Sequence, residues 1–100
     1  MRLAKVRGTV VSTVKDDSLG GVKLLLIQLI DESGELQDDY EVAIDLVGSG
    51  VGEWVLVSKG SAARQHRRYD GRPVDAAIIA IVDTVSLDSG LLYDKREDSR

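Results

Sequence analysis

The hydrophobic positions of the chain follow the two-residue period of β-strands, in stretches separated by glycine-rich or acidic turns. The β-branched stretch 6–14 predicts a first strand, with Gly8 as a bulge or a point of close backbone approach. The almost entirely apolar run 22–30 predicts a second strand covered on both faces. The turn sequence 31–34 then predicts a hairpin that leads into a third strand, 40–47.

The rest of the apolar pattern predicts two further strands. In the third strand the apolar residues alternate, which indicates a half-buried strand with one apolar face. That face consists of Tyr40, Val42, Ile44 and Leu46. Residues 54–57 predict a fourth strand and residues 74–85 a long fifth. Alanines in the fifth stretch also suit a helix, but its many β-branched residues crowd χ1 in a helix and favour a strand.

Segment 45–64 places a glycine-rich loop, a short apolar strand and a small-residue turn in immediate succession. Three glycines within 48–52 supply backbone freedom, and Gly60 is predicted to end the fourth strand. Ser61 is a suitable N-cap for a helical turn over 62–64. The loop lacks the Gly-Lys-Ser/Thr ending of a P-loop and opens onto a strand, so neither a P-loop nor a dinucleotide site is predicted.

Five strands and one short helical turn predict an all-β fold, a small five-stranded OB-like β-barrel. Residues 1–93 are predicted to form a single domain, and the charged tail 94–100 is predicted to be disordered. The apolar residues 91–93 precede that tail and are predicted to dock on a neighbouring copy or on their own barrel. A core of this size leaves stability marginal unless copies associate.

The composition narrows the function classes. The 100 residues include no cysteine, which excludes disulfide and thiolate chemistry. No long apolar run follows the N-terminus, so neither a signal peptide nor a membrane span is predicted, and the chain is expected in the cytoplasm. A net charge of −4 argues against attraction to nucleic acid or to an anionic membrane.

Charge is distributed unevenly along the chain. Segment 31–45 contains seven acidic residues and no basic one, whereas segment 61–72 contains four arginines and one aspartate. Opposite patches on one small chain favour head-to-tail association of identical copies into a ring. The alternative is a pair of solvated loops, because surface charges usually contribute little to stability.

The residues give little support to catalysis, metal binding or nucleic-acid binding. His66 is the single histidine, and it stands in an arginine-rich loop where positive charge disfavours its protonated form. No metal-ligand spacing is found, so no catalytic, metal or cofactor residue is assigned, although a carboxylate pair stays open as an acid–base alternative. Nucleic-acid-binding OB domains stack bases on aromatic residues, and this chain has one tryptophan, three tyrosines and no phenylalanine. Trp54 is interpreted as a core or interface residue.

Three segments carry a resemblance to a known family, namely GTVVST (8–13), DLVGSGVGEWVLVSKGSAAR (45–64) and PVDAAIIAIVDTV (73–85). They resemble the pentameric vertex proteins of bacterial microcompartment shells, the CcmL/EutN family, and the resemblance covers nearly the whole chain. The residues within 53–64 and at 91–93 are most similar to the carboxysome members of cyanobacteria. Ethanolamine- or propanediol-type members come second.

The resemblance implies a structural shell protein without catalytic activity or cofactor. It implies a β-barrel protomer that assembles as a cyclic homopentamer and closes the corners of a polyhedral carboxysome shell tiled by hexameric shell proteins. The implied partners are further copies of the chain and those hexamers, with neither nucleic acid nor a membrane involved. An OB-fold nucleic-acid-binding module remains the less favoured alternative.

The family pattern carries over to named positions of this chain. Gly48, Ser49 and Gly50 match a Gly-Ala-Gly loop that the resemblance places near the fivefold axis, where serine in place of alanine adds a hydroxyl to a narrow opening. Arg64 is a candidate ion-pair partner of Asp75 or Asp83, because a buried carboxylate on an apolar strand needs a partner. The full set of implied subunit-interface residues is Gly60, Ser61, Ala62, Ala63, Arg64, Asp75 and Asp83.

Overall fold

The structure, a computed structural model, describes residues 1–12, 21–60 and 75–97. These residues contain seven strands and one short 3-10 helix. The elements are β1 (Arg2–Val10), β2 (Leu24–Ile30), β3 (Leu36–Asp45), β4 (Trp54–Lys59), β5 (Ala76–Ile81), β6 (Thr84–Leu87), β7 (Gly90–Asp94) and the 3-10 helix (Lys95–Glu97). The helical turn predicted at 61–64 lies outside the described residues.

Strands β1 to β5 close into a barrel in the order β1-β2-β3-β5-β4, which confirms the predicted five-stranded barrel. Neighbouring strands are antiparallel, except that β3 and β5 run parallel. The parallel junction pairs Ile44 with Ala77 and Asp45 with Ile78. Closure of the barrel leaves none of these five strands with a free edge.

The barrel interior is filled by aliphatic side chains that alternate with outward-facing residues along each strand. These buried residues are Ala4, Val6, Leu25, Ile27, Leu29, Ala43, Val55, Val57, Ala76 and Ile78. Burial of each of the larger side chains stabilises the fold by roughly 1.5–3 kcal/mol relative to its exposure to water. The core therefore depends mainly on valine, leucine and isoleucine, with alanines between them.

The apolar face that was predicted to bury β3 lies on the outside of the barrel. Ala43 belongs to the interior, whereas Tyr40 and Val42 are about half exposed on the outer surface. Ile44 packs with Ala77 in a second cluster outside the core. Alternation shows which residues share a face, but it does not show which face is inside when the outer face is also apolar.

A predicted bulge and a predicted hairpin turn are confirmed. The pairing of β1 with β2 shifts register between Val6 and Gly8, as expected for a bulge. In the β2–β3 hairpin, Asp31 Oδ1 accepts hydrogen bonds from the N–H groups of Ser33 and Glu35, each at 2.9 Å. The carboxylate of Asp31 thus orders the turn that sets the register between β2 and β3.

The predicted long strand 74–85 is divided into β5 and β6. After β5 ends, the N–H of Val82 donates to Trp54 O at 2.9 Å, and Asp83 O accepts a hydrogen bond from the N–H of Lys95 at 2.8 Å. Strand β6 then pairs with β7 in a separate two-stranded sheet. β-branched residues continue through this junction, so the sequence pattern does not mark where the chain leaves the barrel.

The β6–β7 hairpin docks on the chain's own barrel, which is one of the two predicted alternatives. Tyr93 stacks on Trp54, with ring centroids 4.2 Å apart and an interplanar angle of 8°. The structure differs from the disordered tail predicted from residue 94, because Asp94 ends β7 and Lys95–Glu97 form the 3-10 helix. Residues 98–100 lie outside the described part of the chain.

Candidate functional site

The glycine loop, residues 46–53, connects β3 to β4 and is ordered by backbone hydrogen bonds. The N–H of Glu53 donates to Gly50 O at 3.2 Å and closes a four-residue turn, in which Gly52 has a φ of +92°. Gly52 N–H donates to Val6 O at 2.8 Å, and Val6 N–H donates to Glu53 O at 3.0 Å. Gly52 and Glu53 therefore extend the hydrogen bonding between β1 and β4 to loop residues that precede β4.

Asp45, the last residue of β3, holds the first half of the loop. Its Oδ1 accepts hydrogen bonds from the N–H groups of Val47 and Ser49, both at 3.2 Å, and from Ser49 Oγ at 3.0 Å. Lys23 Nζ lies 3.4 Å from Asp45 Oδ2 and donates to Ser49 O at 2.9 Å. An aspartate side chain that accepts hydrogen bonds from N–H groups a few residues later in the chain stabilises a turn, and the strand ends there.

The Asp45 carboxylate stays charged although its side chain is almost entirely buried. Burial raises its pKa, but the hydrogen bonds from Ser49 and Val47 and the contact with Lys23 outweigh that effect and hold the pKa below its ordinary value. The folded loop therefore favours the ionised aspartate.

The prediction that the Ser49 hydroxyl borders an opening is wrong for this protomer. Ser49 is fully buried, and its hydroxyl donates to Asp45 within the loop. A buried hydroxyl takes the orientation that satisfies its hydrogen bond, and here the acceptor lies inside. The side chains that the loop exposes are those of Val47 and Val51. The position of the loop near a fivefold axis stays a prediction.

Glu53 holds the second half of the loop. Its Oε1 accepts a hydrogen bond from the N–H of Gly50 at 2.6 Å, and its Oε2 forms an ion pair with Lys95 Nζ at 2.6 Å. Lys95 and the Gly50 N–H lower the pKa of Glu53, against the opposing effects of burial and of the nearby Asp45 charge. The hydrogen bond with Glu53 raises the pKa of Lys95. Each partner thus stabilises the charged form of the other.

The loop glycines differ in what the protomer requires of them. Gly48 has a φ of +79°, a left-handed conformation that costs other residues roughly 1–2 kcal/mol. Gly50 has no positive φ, and among the described residues a Cβ built on it meets Glu53 Oε1 at 3.7 Å, an ordinary contact. The described part of the protomer therefore accounts for glycine at position 48 but not at position 50.

The predicted interface residues are only partly within the described chain. Gly60 follows β4 with a φ of +66°, and its N–H donates to Asp75 O at 2.8 Å, which joins the ends of β4 and β5. Asp75 and Asp83 are exposed, so burial gives neither carboxylate a need for an ion-pair partner. Residues 61–64 lie outside the described residues, and a contact of Arg64 with either aspartate stays a prediction.

An apolar surface, here called the outer apolar face, covers the outside of β2, β3 and β5. Leu24 lies opposite Ile44 and Leu26 opposite Val42 on neighbouring strands. Tyr40 and Val42 are 52% and 47% exposed. The face consists of Val22, Leu24, Leu26, Tyr40, Val42, Leu46 and Ile79. Val22, Leu24, Leu46 and Ile79 pack against Ile44 and Ala77, which are buried beneath it. Exposed apolar patches are common features of association sites.

Sequence reasoning missed the site roles of Lys23, Glu53 and Lys95. The spacing of Asp45 to Ser49 contains a local signal, because aspartate commonly accepts hydrogen bonds from N–H groups shortly after it in the chain. The pair of Glu53 and Lys95 has no such signal, since the two residues are far apart in sequence and only the docking of the C-terminal hairpin brings them together.

Across 1–12, 21–60 and 75–97, no group of three or more histidine, aspartate or glutamate side chains is arranged to hold a metal ion. The same ranges contain no helix whose length and apolar character would let it cross a membrane. His66 and the arginines of 61–72 lie outside these ranges.

Comparison with known proteins relates the chain to a family. A sequence model described as ethanolamine utilisation protein EutN/carboxysome matches residues 1–83. The carboxysome shell vertex protein CcmL of Synechococcus elongatus is 61% identical over 99 residues, covering 99% of this chain and 100% of that protein. The bacterial microcompartment shell vertex protein EutN of Salmonella typhimurium is 43% identical over 95 residues, covering 95% of this chain and 96% of that protein.

Solved structures agree with the barrel. CcmL from Gloeobacter violaceus matches with a TM-score of 0.91 at 57% identity, covering 97% of this chain and 100% of that chain. The pentameric microcompartment shell protein GrpN from Rhodospirillum rubrum matches with a TM-score of 0.79 at 47% identity, covering 87% and 99%. By sequence along most of its length and by its barrel fold, this chain belongs to the EutN/CcmL family of microcompartment shell proteins.

Proposed function

We propose that this chain is a structural protein of the carboxysome shell and closes the shell vertices as a homopentamer. The observation that carries the proposal is the outer apolar face, on which Tyr40 and Val42 remain about half exposed in the protomer. A contiguous apolar surface outside a closed barrel is typical of a protein–protein interface. The relatives named as shell vertex proteins indicate which kind of assembly buries it.

The proposed kind of compartment rests on the sequence identities to the two relatives. The cyanobacterial carboxysome relative is considerably more similar to this chain than the EutN relative is. A carboxysome, the compartment in which carbon dioxide is fixed, is therefore the favoured location. A vertex of an ethanolamine- or propanediol-type compartment is the second candidate, because both relatives belong to one family.

The proposed subunit contact is head to tail. Asp38 and Asp39 are exposed on β3, beside the outer apolar face, and Glu32 and Glu35 are exposed in the adjoining turn. Within the same segment, Glu41 pairs with Lys59 and Asp45 is buried. The arginine-rich segment 61–72 supplies positive charge elsewhere on the same chain. Complementary charges of this kind orient identical copies around a ring. A related pentameric shell protein with the same barrel supports five as the number of copies.

The glycine loop is proposed to lie at the fivefold axis. Gly50 supports this placement, because the described part of the protomer gives no steric or backbone reason for glycine there. Close approach of neighbouring copies would explain glycine at this position, since a side chain would fill the narrow space between the copies. Hexameric shell proteins are the proposed partners at the edges of the pentamer.

The proposed role requires neither catalysis nor nucleic acid. The relatives are named as shell vertex proteins, which is a structural role in an assembly. An OB-fold that binds nucleic acid combines exposed aromatic faces with a basic groove. Here Trp54 is stacked on Tyr93, and the exposed Tyr40 follows the exposed acidic residues Asp38 and Asp39 on β3. The net charge of −4 also opposes binding to phosphates.

The solution mass, measured by light scattering coupled to size-exclusion chromatography, tests whether the protein is a pentamer. We expect the parent protein to have the mass of five chains and Val42→Glu to be a folded monomer, because the new charge on the outer apolar face cannot be desolvated in an interface. Val11→Glu is the matched control, since Val11 is 88% exposed and lies just after β1. It should leave the mass unchanged.

The same measurement can reject the proposal. A parent protein that is a monomer at all accessible concentrations removes the pentamer and returns the single-domain binding module to first place. A pentamer that persists in Val42→Glu keeps the assembly but moves the subunit contact away from β3. Circular dichroism of each variant establishes that the barrel is folded, so a change in mass is not mistaken for unfolding.

A further inference from the structure

Glu53 joins two parts of the structure that are distant in sequence: the glycine loop and the C-terminal segment, residues 90–97. One carboxylate oxygen accepts the hydrogen bond from Gly50 N–H, and the other forms the ion pair with Lys95. Charge-assisted hydrogen bonds are stronger than those between neutral groups. The Glu53 carboxylate is therefore a direct link between the loop and the end of the chain.

Lys95 is held in place by the docking of the C-terminal segment. Its N–H donates to Asp83 O at 2.8 Å, which fixes the backbone at that position. Two residues earlier, Tyr93 stacks on Trp54, the residue that directly follows Glu53. The backbone around Glu53 and the backbone around Lys95 are thus packed together. The ammonium group reaches Glu53 only while the segment stays docked.

Side-chain hydrogen bonds select the conformation of the glycine loop. The bonds to Asp45 reach as far as Ser49, and the bond to Glu53 takes up the next N–H group, that of Gly50. A stretch with three glycines has more accessible backbone conformations than other sequences of its length. The Glu53 carboxylate therefore has a larger effect on this loop than a similar contact would have on a strand.

We propose that the C-terminal segment controls the conformation of the glycine loop through Lys95 and Glu53. When the segment is docked, Lys95 holds the carboxylate against Gly50 N–H. When the segment is displaced, Glu53 loses its counter-charge and the loop gains conformational freedom. This coupling belongs to the single protomer. Only its effect on an opening at the fivefold axis rests on the proposed function.

The chain offers a matched control in the same segment. Arg96 Nη2 lies 3.4 Å from Asp94 Oδ2, and the Arg96 side chain is largely exposed. Arg96→Gln removes one positive charge from the segment but leaves the contact between Lys95 and Glu53 in place. Lys95→Met removes the charge that faces Glu53 and keeps a side chain of similar length. Lys95→Arg keeps the charge.

Amide hydrogen exchange, measured residue by residue, tests the coupling. Lys95→Met should accelerate exchange at Gly50 by about two- to fivefold, the size expected for loss of a partly exposed ion pair. The effect is expected although Gly50 bonds Glu53 rather than Lys95. Exchange of the core amides of Leu25 and Ile27 should stay unchanged. Arg96→Gln should leave Gly50 unaffected, and Lys95→Arg should retain most of the protection.

Two results overturn the coupling. One is unchanged exchange at Gly50 in Lys95→Met. The other is equal acceleration at Gly50, Leu25 and Ile27, which reports a general loss of stability. The solution mass of the same samples reports the proposed function separately. A monomer with coupled exchange rejects only the pentamer, and a pentamer without it rejects only the coupling.

Discussion

Asp45 shows how one carboxylate orders a loop whose composition favours many conformations. It accepts hydrogen bonds from two backbone N–H groups and one hydroxyl, and Lys23 balances its charge. Without these partners, a carboxylate this deeply buried would shift toward its neutral form. The lowered pKa of Asp45 shows that the partners outweigh burial. The order of the glycine loop therefore begins at the last residue of β3.

Asp45→Asn should destabilise the protomer. The amide keeps the shape of the side chain, but it removes the charge that faces Lys23 and weakens the acceptor for Ser49. We expect the free energy of unfolding to fall by about 1–3 kcal/mol. Urea unfolding at one fixed protein concentration measures this change, because assembly makes stability depend on concentration.

Asp38→Asn is the control for Asp45→Asn. Asp38 is exposed on β3, and its replacement should change the free energy of unfolding by less than about 0.5 kcal/mol. Equal effects of the two substitutions would show that net charge, and not the buried network around Asp45, determines the loss of stability.

The strands of the barrel were largely predictable, and their reasons are local. β-branched residues and glycine-rich turns predicted the existence of the five barrel strands and the bulge at Gly8. The first strand was expected over 6–14, whereas β1 spans Arg2–Val10, because the mixed sequence of residues 2–5 carries no β-branched signal. The orientation of β3 was not predictable, because its outward-facing residues Tyr40, Val42 and Ile44 are apolar too. The division of 74–85 was also missed, since hydrogen bonds from Val82 and Lys95 to distant residues decide where β5 ends.

The candidate site was predictable in position but not in its contacts. The three glycines mark the loop, and a spacing rule could have linked Asp45 to Ser49. The inward orientation of Ser49 depends on Asp45 being buried, which the sequence alone does not show. The contact of Glu53 with Lys95 depends on how the C-terminal hairpin docks, so it follows from tertiary structure.

The glycine loop allows two alanine substitutions with opposite expectations. Gly48→Ala places an L-residue at a φ of +79° and should lower the free energy of unfolding by about 1–2 kcal/mol. Gly50→Ala introduces no such strain, and its Cβ has room in the described protomer, so protomer stability should change by less than about 0.5 kcal/mol. Urea unfolding in the Val42→Glu background, which we expect to be monomeric, compares the two without a contribution from assembly.

The solution mass of the two glycine variants separates protomer from assembly. In the otherwise unchanged protein, Gly50→Ala should weaken the pentamer, because neighbouring loops would approach too closely for the added methyl group. Gly48→Ala should leave the mass of the folded fraction unchanged. A full pentamer with Gly50→Ala would argue that the loop lies away from the axis.

Across the protomer, four carboxylates of the described chain shift in the same direction. The pKa values of Asp31, Asp45, Glu53 and Asp94 all lie below their ordinary values. Hydrogen bonds from Glu35 and Ser33 are the main cause at Asp31, and those from Arg96 at Asp94. A lowered pKa in the folded state means that the unfolded chain binds protons more readily, so acid favours unfolding.

Stability should therefore be constant near neutral pH and fall in acid. The contribution of Glu53 is complete above its ordinary pKa of 4.5 and is lost as the pH falls through its lower value in the folded state. Lys95 and Asp45 are the charged groups that act on Glu53 there. Between about pH 5 and pH 3, the range in which ordinary carboxylates titrate, the urea midpoint of Glu53→Gln should fall less steeply than that of the parent protein.

Glu35→Gln serves as the control for the pH series. Glu35 is exposed in the β2–β3 turn, where its N–H and not its carboxylate bonds Asp31. The slope of its urea midpoint with pH should match that of the parent. If Glu53→Gln showed the same slope as both, the Glu53 carboxylate would contribute no measurable part of the acid sensitivity.

The inward orientation of Ser49 affects how this loop tolerates mutation. Because the hydroxyl is enclosed, the most exposed side chains of the loop are those of Val47 and Val51, with Leu46 and Glu53 partly exposed beside them. Replacement of serine by alanine at position 49 would therefore remove an internal hydrogen bond to Asp45 and leave the exposed side chains of the loop unchanged. Substitutions at Val47 or Val51 would instead change the exposed surface of the loop.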